Sequence, residues 1–369
     1  MTGLGNYSRF VIDSLAQHYP DHSYVVYSPR IGANPRIDAV LQRNGGRVSL
    51  QGPRTALWRR LGSLWRTRAI CADLLRDGIG IFHGLSGELP MGISRLQGVR
   101  SVVTINDIIF RHLPRHYHFI DRHIYDYKFR HACHEADLII AVSECTKRDV
   151  VSFYGVEPDK VRVIYQGCDE AFARPIDAAL KAEVRGLYRL PQRFVLQVGT
   201  IEARKNALLS LKALRHMPAD VHLVLVGRTT AYADTVARYA DAHGLAGRLH
   251  VLHYVPFEHL PAIYACADAF AYPSEYEGFG IPIIEAINAG LPVVAATGSC
   301  LEEAGGPAQL YVPPTDDEAM AQALLQALDP DRRRQMVAEG RAYVARFAPD
   351  SAARQVMECY EELMRTRAR

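Results

Sequence analysis

Short apolar runs alternate with longer amphipathic segments along most of the chain. In the amino-terminal half, each β-rich run is followed by a stretch typical of a helix or a loop. These runs cover residues 24–27, 79–82, 102–105, 138–142 and 161–164. Strands that alternate with helices in this way predict a parallel sheet covered on both faces.

The same alternation restarts after a charged stretch at residues 173–190, which contains Pro175 and no clear strand. We interpret that stretch as the connection between two domains. The second half is predicted to hold strands at 193–198, 221–226, 249–252, 269–272 and 292–296. Its predicted helices cover 207–216, 232–243, 259–266 and 282–289, and three helical stretches close the chain.

This organisation predicts an α/β protein with two doubly wound, Rossmann-like domains at residues 1–172 and 191–348. Such domains bind ligands at the carboxyl ends of their strands, and we expect the two to face a common cleft. A terminal helix within 349–369 is predicted to cross back to the amino domain.

The chain opens on a glycine turn, Gly3 to Gly5, followed by apolar residues at helical spacing. In an α/β domain such a turn normally follows a strand. The amino domain is therefore expected to lack its first strand.

Composition narrows the class of protein. The chain has 369 residues, of which 49% are apolar and 22% charged, so two globular cores are expected. A net charge of +3 does not indicate nucleic-acid binding. The seven cysteines are dispersed without a CxxC pair, which is typical of reduced thiols. Neither a signal peptide nor a membrane-spanning run is visible, so we expect a cytoplasmic protein.

The strongest chemical signal lies at residues 273–286. A strand ends near Tyr272, a glycine-bearing loop follows, and a helix then begins with Pro282 in its first turn. Free N–H groups and the positive end of the helix dipole suit a phosphate there. Glu277 in the loop and Glu285 on the helix can bind paired sugar hydroxyls. Alternatively, this is an ordinary turn with two surface glutamates.

The full string, from Pro273 to Ala286, resembles the E-x7-E motif of the retaining GT-B glycosyltransferases, in particular glycosyltransferase family 4. The resemblance implies that Glu277 positions the hydroxyls of a donor sugar and that Glu285 holds the ribose. It also implies that backbone groups of the intervening loop bind sugar and phosphate, at Gly278, Phe279, Gly280 and Ile281.

Two further segments match that family. Gly199 and Thr200 follow a strand and precede Arg204 and Lys205, the pair that neutralises the donor diphosphate in family members. This pair would stand in place of a metal ion, or it is only a solvated helix cap. Residues 252–256 resemble the segment that meets the nucleotide base, although Tyr254 could instead pack the strand end.

The amino half matches more loosely. Gly5 lies in a segment similar to the glycine loop that faces the donor phosphate. His83 follows the family's pattern for acceptor contacts at a strand end. Asn106 and Asp107 stand where many members carry His-Asp, so a role that needs an imidazole is in doubt. Asp107 either orients acceptor groups or caps the following turn.

The resemblance implies hexose transfer from a UDP- or GDP-sugar to a glycan or lipid-linked acceptor in surface polysaccharide assembly. Family members are thought to react on the front face, where the leaving phosphate helps deprotonate the acceptor, so no covalent nucleophile is expected. No D-x-D motif is present, and neither a metal nor another cofactor is expected. The alternatives are an epimerase and an inactive nucleotide-sugar binder on the same fold.

Residues 54–76 form a basic segment with Trp58 and Trp65 seven positions apart, hence on one helical face. A basic amphipathic helix with tryptophan suits an anionic membrane surface, which would place the protein on the inner membrane face. The alternative is a helix packed on the sheet, with its arginines in water.

Overall fold

A computed structural model describes residues 3–32 and 34–367. The chain divides into two compact units. The amino unit comprises residues 1–166 and 349–369, and the carboxyl unit comprises residues 167–348.

The amino unit holds two separate parallel sheets among its described residues, ordered β1-β2 and β3-β4-β5-β6. The strands are β1 (Tyr24–Tyr27), β2 (Val48–Gln51), β3 (Ile81–Gly84), β4 (Arg100–Ile105), β5 (Leu138–Ala141) and β6 (Val161–Val163). The helices are α1 (Gly3–His18), α2 (Pro35–Arg43), α3 (Ala56–Arg60), α4 (Gly62–Leu64), α5 (Ile70–Arg76), α6 (Ile109–His112), α7 (Phe119–Glu135) and α8 (Glu144–Tyr154). The strand expected to precede Gly3 would lie outside the described residues.

The carboxyl unit is built on a six-stranded parallel sheet ordered β12-β11-β10-β7-β8-β9. Its strands are β7 (Arg193–Val198), β8 (Val221–Val226), β9 (Leu249–Leu252), β10 (Ala269–Tyr272), β11 (Val293–Ala296) and β12 (Leu310–Val312). Its helices are α9 (Ala178–Leu187), α10 (Ala207–Ala213), α11 (Tyr232–Ala242), α12 (Leu260–Cys266), α13 (Ile281–Asn288), α14 (Leu301–Gly305), α15 (Asp317–Leu328) and α16 (Pro330–Val344). The predicted alternation is thus confirmed, and the buried central strands are the β-branched and alanine-rich runs that helices cover.

The last helix, α17 (Pro349–Arg367), lies in the amino unit and packs against α1. His18 Nε2 lies 3.1 Å from Asp350 Oδ1, and Arg162 donates to Glu362 on the same helix. These exposed contacts are weak individually. Buried side chains such as Val356 and Met357 supply the apolar part of the packing.

Residues 173–190, interpreted above as a connection, belong to the carboxyl unit. Val184 on α9 is buried, and Arg185 donates to the carbonyl oxygen of Cys266 at 3.2 Å. Of the charged residues on α9 that suggested a linker, Glu183 is exposed, whereas Lys181 and Arg185 are half-buried. A helix with one apolar stripe was therefore mistaken for a connection.

The tryptophans of the basic segment 54–76 face the interior. Trp65 is only 1% exposed, and its Nε1 donates to Asp73 Oδ2 at 2.7 Å. Trp58 packs partly buried against the same core. The tryptophan face is thus turned towards the core, and the exposed side of this segment carries Leu57, Leu61 and Leu64.

Candidate functional site

The site in the carboxyl unit lies where two neighbouring parallel strands end. β7 and β10 pair directly, so their carboxyl ends meet at one edge of the sheet. A turn at Ala203–Lys205 follows β7, and the loop that carries Glu277 follows β10. The backbone N–H of Glu275 donates to the carbonyl oxygen of Arg204 at 2.9 Å, which ties the two loops together.

Three charged side chains converge between these loops. Glu277 Oε1 lies 3.1 Å from Arg204 Nη1 and also forms an ion pair with Lys205 Nζ. Arg204 reaches Glu202 as well, at 2.8 Å. Both Lys205 and Glu277 are largely buried, so their attraction is weakly screened by water. The alternative of a solvated helix cap is wrong for Lys205.

The charges of this cluster stabilise one another. Burial alone would lower the pKa of Lys205, but the carboxylate of Glu277 outweighs it and holds that pKa above its ordinary value. Burial would likewise raise the pKa of Glu277, whereas Lys205 and Arg204 hold it below its usual range. All three groups are therefore ionised at neutral pH, leaving one net positive charge on Arg204, Lys205 and Glu277 together.

Three residues that the sequence analysis missed hold the cluster in place. The buried Gln197 donates to the carbonyl oxygen of Lys205 at 2.9 Å. Lys205 Nζ donates to the hydroxyl of Tyr272 at 2.7 Å and lies over its ring. The Cys300 thiol contacts the carbonyl oxygens of Glu277 and Phe279 at 3.0 and 3.1 Å. They lie on separate elements, and no local motif marks them.

Glycines allow the strand ends to approach closely. A Cβ on Gly227 would lie 1.9 Å from the carbonyl oxygen of Gly199, with φ of +155° and +145° at these two residues. Thr200 follows directly and opens the loop towards Arg204. Gly280, with φ of +116°, sits at the start of α13.

The loop before α13 points its side chains inward. The Phe279 ring is buried against Phe347, with the ring centroids 5.2 Å apart. Gly278 and Gly280 carry no side chains, so at these two positions the backbone can meet a ligand. Ile281 begins α13, whose first N–H groups lack helical partners, as at any helix start.

Glu285 lies one turn further along α13 than the loop. Its Oε2 accepts a hydrogen bond of 2.9 Å from the hydroxyl of Tyr264, which is fully buried. Burial, together with the nearby charge of Asp169, raises the pKa of Glu285 to about 7, although the Tyr264 contact opposes the shift. Glu285 therefore titrates near neutral pH, unlike Glu277.

Tyr254 follows the end of β9 in a left-handed conformation, with φ of +55°. Its side chain is 94% exposed. The alternative that Tyr254 packs the strand end is therefore wrong. An exposed aromatic ring on a strained residue is typical of a ligand contact.

In the amino unit, His83 lies within a hydrogen-bonded chain. Its Nε2 lies 2.7 Å from Thr104 Oγ1, and its Nδ1 lies 2.6 Å from the hydroxyl of Tyr360 on α17. Burial lowers the pKa of His83 to about 3, so the imidazole is neutral. Both ring nitrogens are thus already engaged within the unit.

The other candidate residues of the amino half are Gly5, Asn106 and Asp107. Gly5 lies inside α1, so the segment predicted as a glycine loop is helical. Asn106 follows β4, and its Nδ2 donates to the carbonyl oxygen of Leu85 at 3.4 Å. Asp107 Oδ1 accepts from the N–H of Ile109 at 3.2 Å, which is the capping contact considered above.

Within the part of the chain that the structure describes, no three His, Cys, Asp or Glu side chains lie close enough together to hold a metal ion. Among the same residues, no helix is both long and apolar enough to cross a bilayer.

Family models match both halves of the chain. Residues 1–172 match Glycosyltransferase Family 4, and residues 181–343 match Glycosyl transferases group 1. The chain is 31% identical to the O-antigen chain mannosyltransferase B of Escherichia coli, across 98% of this chain and 97% of the relative. It is also 31% identical to a D-inositol 3-phosphate glycosyltransferase of Xylanimonas cellulosilytica, across 63% and 58% of the two chains.

Solved structures agree in fold. Anabaena Alr3699/HepE in complex with UDP superposes with a TM-score of 0.77 at 19% identity, over 98% of this chain and 96% of that one. WaaG, a glycosyltransferase involved in lipopolysaccharide biosynthesis, gives 0.68 at 19% identity over 96% and 95%. The two Rossmann-like units are those of a GT-B glycosyltransferase. The chain belongs to glycosyltransferase family 4, as its E-x7-E motif suggested.

Proposed function

We propose that this protein transfers a hexose, with retention of anomeric configuration, from a nucleoside-diphosphate sugar to a glycan or lipid-linked acceptor in surface polysaccharide assembly. Mannose is the first candidate, since the relative matched over nearly its whole length is named a mannosyltransferase. HepE binds UDP, so UDP- and GDP-sugars are both candidate donors.

The observation that carries the proposal is the cluster of Arg204, Lys205 and Glu277 beside the start of α13. A departing nucleoside diphosphate gathers negative charge, and cations fixed in advance stabilise it without reorganising. Lys205 and Arg204 supply these cations, and the backbone of the preceding loop supplies N–H donors. This arrangement would neutralise the diphosphate without a metal ion.

Glu277 then has two tasks. In the structure its carboxylate forms ion pairs with both Arg204 and Lys205. With a donor bound, its carboxylate would accept hydrogen bonds from hydroxyls of the sugar. Glu285 would accept from the ribose, and Tyr254 would lie beside the base. The leaving phosphate, rather than a side chain, would take the acceptor proton.

The acceptor side is assigned to the amino unit. Asn106 and Asp107 follow β4 and can offer an amide and a carboxylate to acceptor hydroxyls. For a lipid-linked acceptor the protein would act at the inner membrane face. The exposed leucines and arginines of residues 54–76 would contact that surface.

The test is a screen of UDP-glucose, GDP-mannose and ADP-glucose, first for binding by calorimetry and then for nucleoside diphosphate release with a bacterial lipid extract as acceptor. We expect release with one of the hexose donors, unchanged by EDTA, and a product whose anomeric configuration matches the donor by NMR. An epimerase would convert its donor without an acceptor, and an inactive binder would show binding alone. Either result, or inversion, contradicts the proposal.

A further inference from the structure

A second carboxylate competes for the cations of the site in the carboxyl unit. Arg204 Nη2 lies 2.8 Å from Glu202 Oε1, whereas its other terminal nitrogen, Nη1, lies 3.1 Å from Glu277 Oε1. Both ends of the guanidinium fork therefore already meet a carboxylate. Phosphate oxygens bind arginine through these same N–H groups. The Glu202 oxygen thus takes a place that an oxygen of a diphosphate would use.

The net charge around Arg204 changes once Glu202 is counted. Arg204 and Lys205 carry two positive charges, and Glu277 and Glu202 carry two negative ones. The four side chains together are therefore neutral, although a nucleoside diphosphate is an anion. Because Coulomb attraction scales with the charge, a neutral group attracts that anion less than a positive one does. Glu202 thus opposes the binding that Arg204 and Lys205 favour.

The two carboxylates differ in how easily they can leave Arg204. The side chain of Glu202 is 32% exposed, against 11% for that of Glu277. Glu277 also pairs with Lys205, so it would lose two cationic partners. Glu202 can turn into water, which solvates the freed carboxylate, and such an exposed ion pair costs little to break. Arg204 would keep its contacts with Glu277 and with the carbonyl oxygen of Tyr276, which lies 3.4 Å away.

The backbone around Glu202 is fixed independently of its side chain. The carbonyl oxygen of Glu202 accepts from the N–H of Lys205 at 3.0 Å, which closes the turn at Ala203–Lys205. The preceding residue, Ile201, is also held, because Thr230 Oγ1 donates to its carbonyl oxygen at 2.7 Å. Rotation of the Glu202 side chain therefore leaves the turn and the position of Lys205 unchanged.

We propose that Glu202 sets the affinity of the donor site: its carboxylate occupies Arg204 until the diphosphate of a nucleotide sugar displaces it. This inference rests on the donor binding proposed above. The competition weakens binding of the donor, and it also weakens binding of the leaving nucleoside diphosphate, which favours product release. Removing the charge of Glu202 should therefore tighten nucleotide binding. A side chain that only supported Arg204, or that bound the donor itself, would give the opposite result.

The test is calorimetric titration of the full chain with UDP, GDP and ADP, for the wild type, Glu202→Gln and Glu202→Ala. Glutamine keeps the length of the side chain and an acceptor oxygen but removes the charge. We expect both variants to bind the nucleotide that the wild type binds more tightly, by about fivefold for Glu202→Gln, with a smaller difference at high salt. Glu339→Gln removes the same charge from an exposed position on α16 and should bind as the wild type does.

Thermal melting of each variant verifies that the fold is kept. Equal or weaker binding by either folded Glu202 variant overturns the inference and leaves the proposed transfer reaction intact. Tighter binding by Glu339→Gln to the same extent also overturns it, because the effect would then come from the overall charge. If the wild type binds none of the three nucleotides, the proposed donor site is wrong, and this inference fails with it.

Discussion

The hydroxyl of Tyr264 donates to Glu285 Oε2 at 2.9 Å from a fully buried ring. That ring is fixed between Phe172 and Phe270, with centroids 5.1 and 5.4 Å away. The carboxyl proposed to bind the ribose therefore has a rigid partner in the protein. Burial raises the pKa of Glu285, and the hydrogen bond from Tyr264 limits that rise because it favours the ionised carboxylate.

Donor binding should depend on pH around 7. The pKa of Glu285 is raised to about 7, so raising the pH through that value ionises it and should lower the donor KM. Tyr264→Phe removes the hydroxyl that favours the ionised form of Glu285. The pKa of Glu285 should therefore rise further, and the change in donor KM should move to higher pH. The measurement is donor KM against pH. Tyr188→Phe, which loses only a contact with His259, is the control, and an unshifted Tyr264→Phe profile would contradict the assignment.

Neutralising Lys205 should slow transfer. In Lys205→Met the leaving diphosphate loses one fixed cation, and losses of about 10² to 10³ in kcat are typical for such a contact. Because Arg204 still pairs with Glu277, the buried carboxylate keeps a cationic partner and the fold should persist. Steady-state kinetics with Lys212→Met, on the neighbouring helix α10, provides the comparison. A kcat of Lys205→Met within twofold of the wild type would show that Lys205 does not contribute to transfer.

Gly227 should tolerate no side chain. A Cβ there would meet the carbonyl oxygen of Gly199 at 1.9 Å. Gly227→Ala should therefore lower the free energy of unfolding by about 3 kcal/mol or more. Gly247→Ala is the matched control, since a Cβ at Gly247 meets open space. Calorimetric melting that shows equal midpoints for the two variants would refute the close approach of these strand ends.

Because His83 is buried in its neutral form, the free energy of unfolding should fall at acidic pH. Its folded pKa is lowered to about 3, whereas an unfolded histidine titrates near 6.5. Between these values the unfolded chain binds more protons, so stability is lost as the pH falls from about 6.5 towards 3. His83→Gln, which lacks a titrating group, should have a shallower slope of unfolding free energy against pH over that range. Identical slopes for the two proteins would mean that His83 is not held neutral.

The sequence predicted the alternation of strands and helices, because buried parallel strands leave continuous apolar runs. It also located Glu277, Glu285, Arg204 and Lys205, whose loops follow those strands. It missed β2, where apolar and polar residues alternate instead of forming a continuous apolar run, and the three-residue strand β12. It could not indicate Tyr264 or Cys300, because these residues reach the site from α12 and from the turn before α14. The inward direction of Trp65 also depends on tertiary packing, since helical spacing gives a shared face without showing which side is buried.

The central claim is that Glu277, held between Lys205 and Arg204, serves transfer from a nucleotide sugar. The most direct measurement compares wild type, Glu277→Gln, Glu277→Ala and the exposed control Glu318→Gln for binding of nucleoside diphosphate and for its release from the donor. We expect both Glu277 variants to keep their fold, and Glu277→Gln to keep diphosphate binding, while each loses about 10²-fold or more in turnover. Glu318→Gln should match the wild type. Turnover of folded Glu277→Gln equal to that of the wild type would contradict the account.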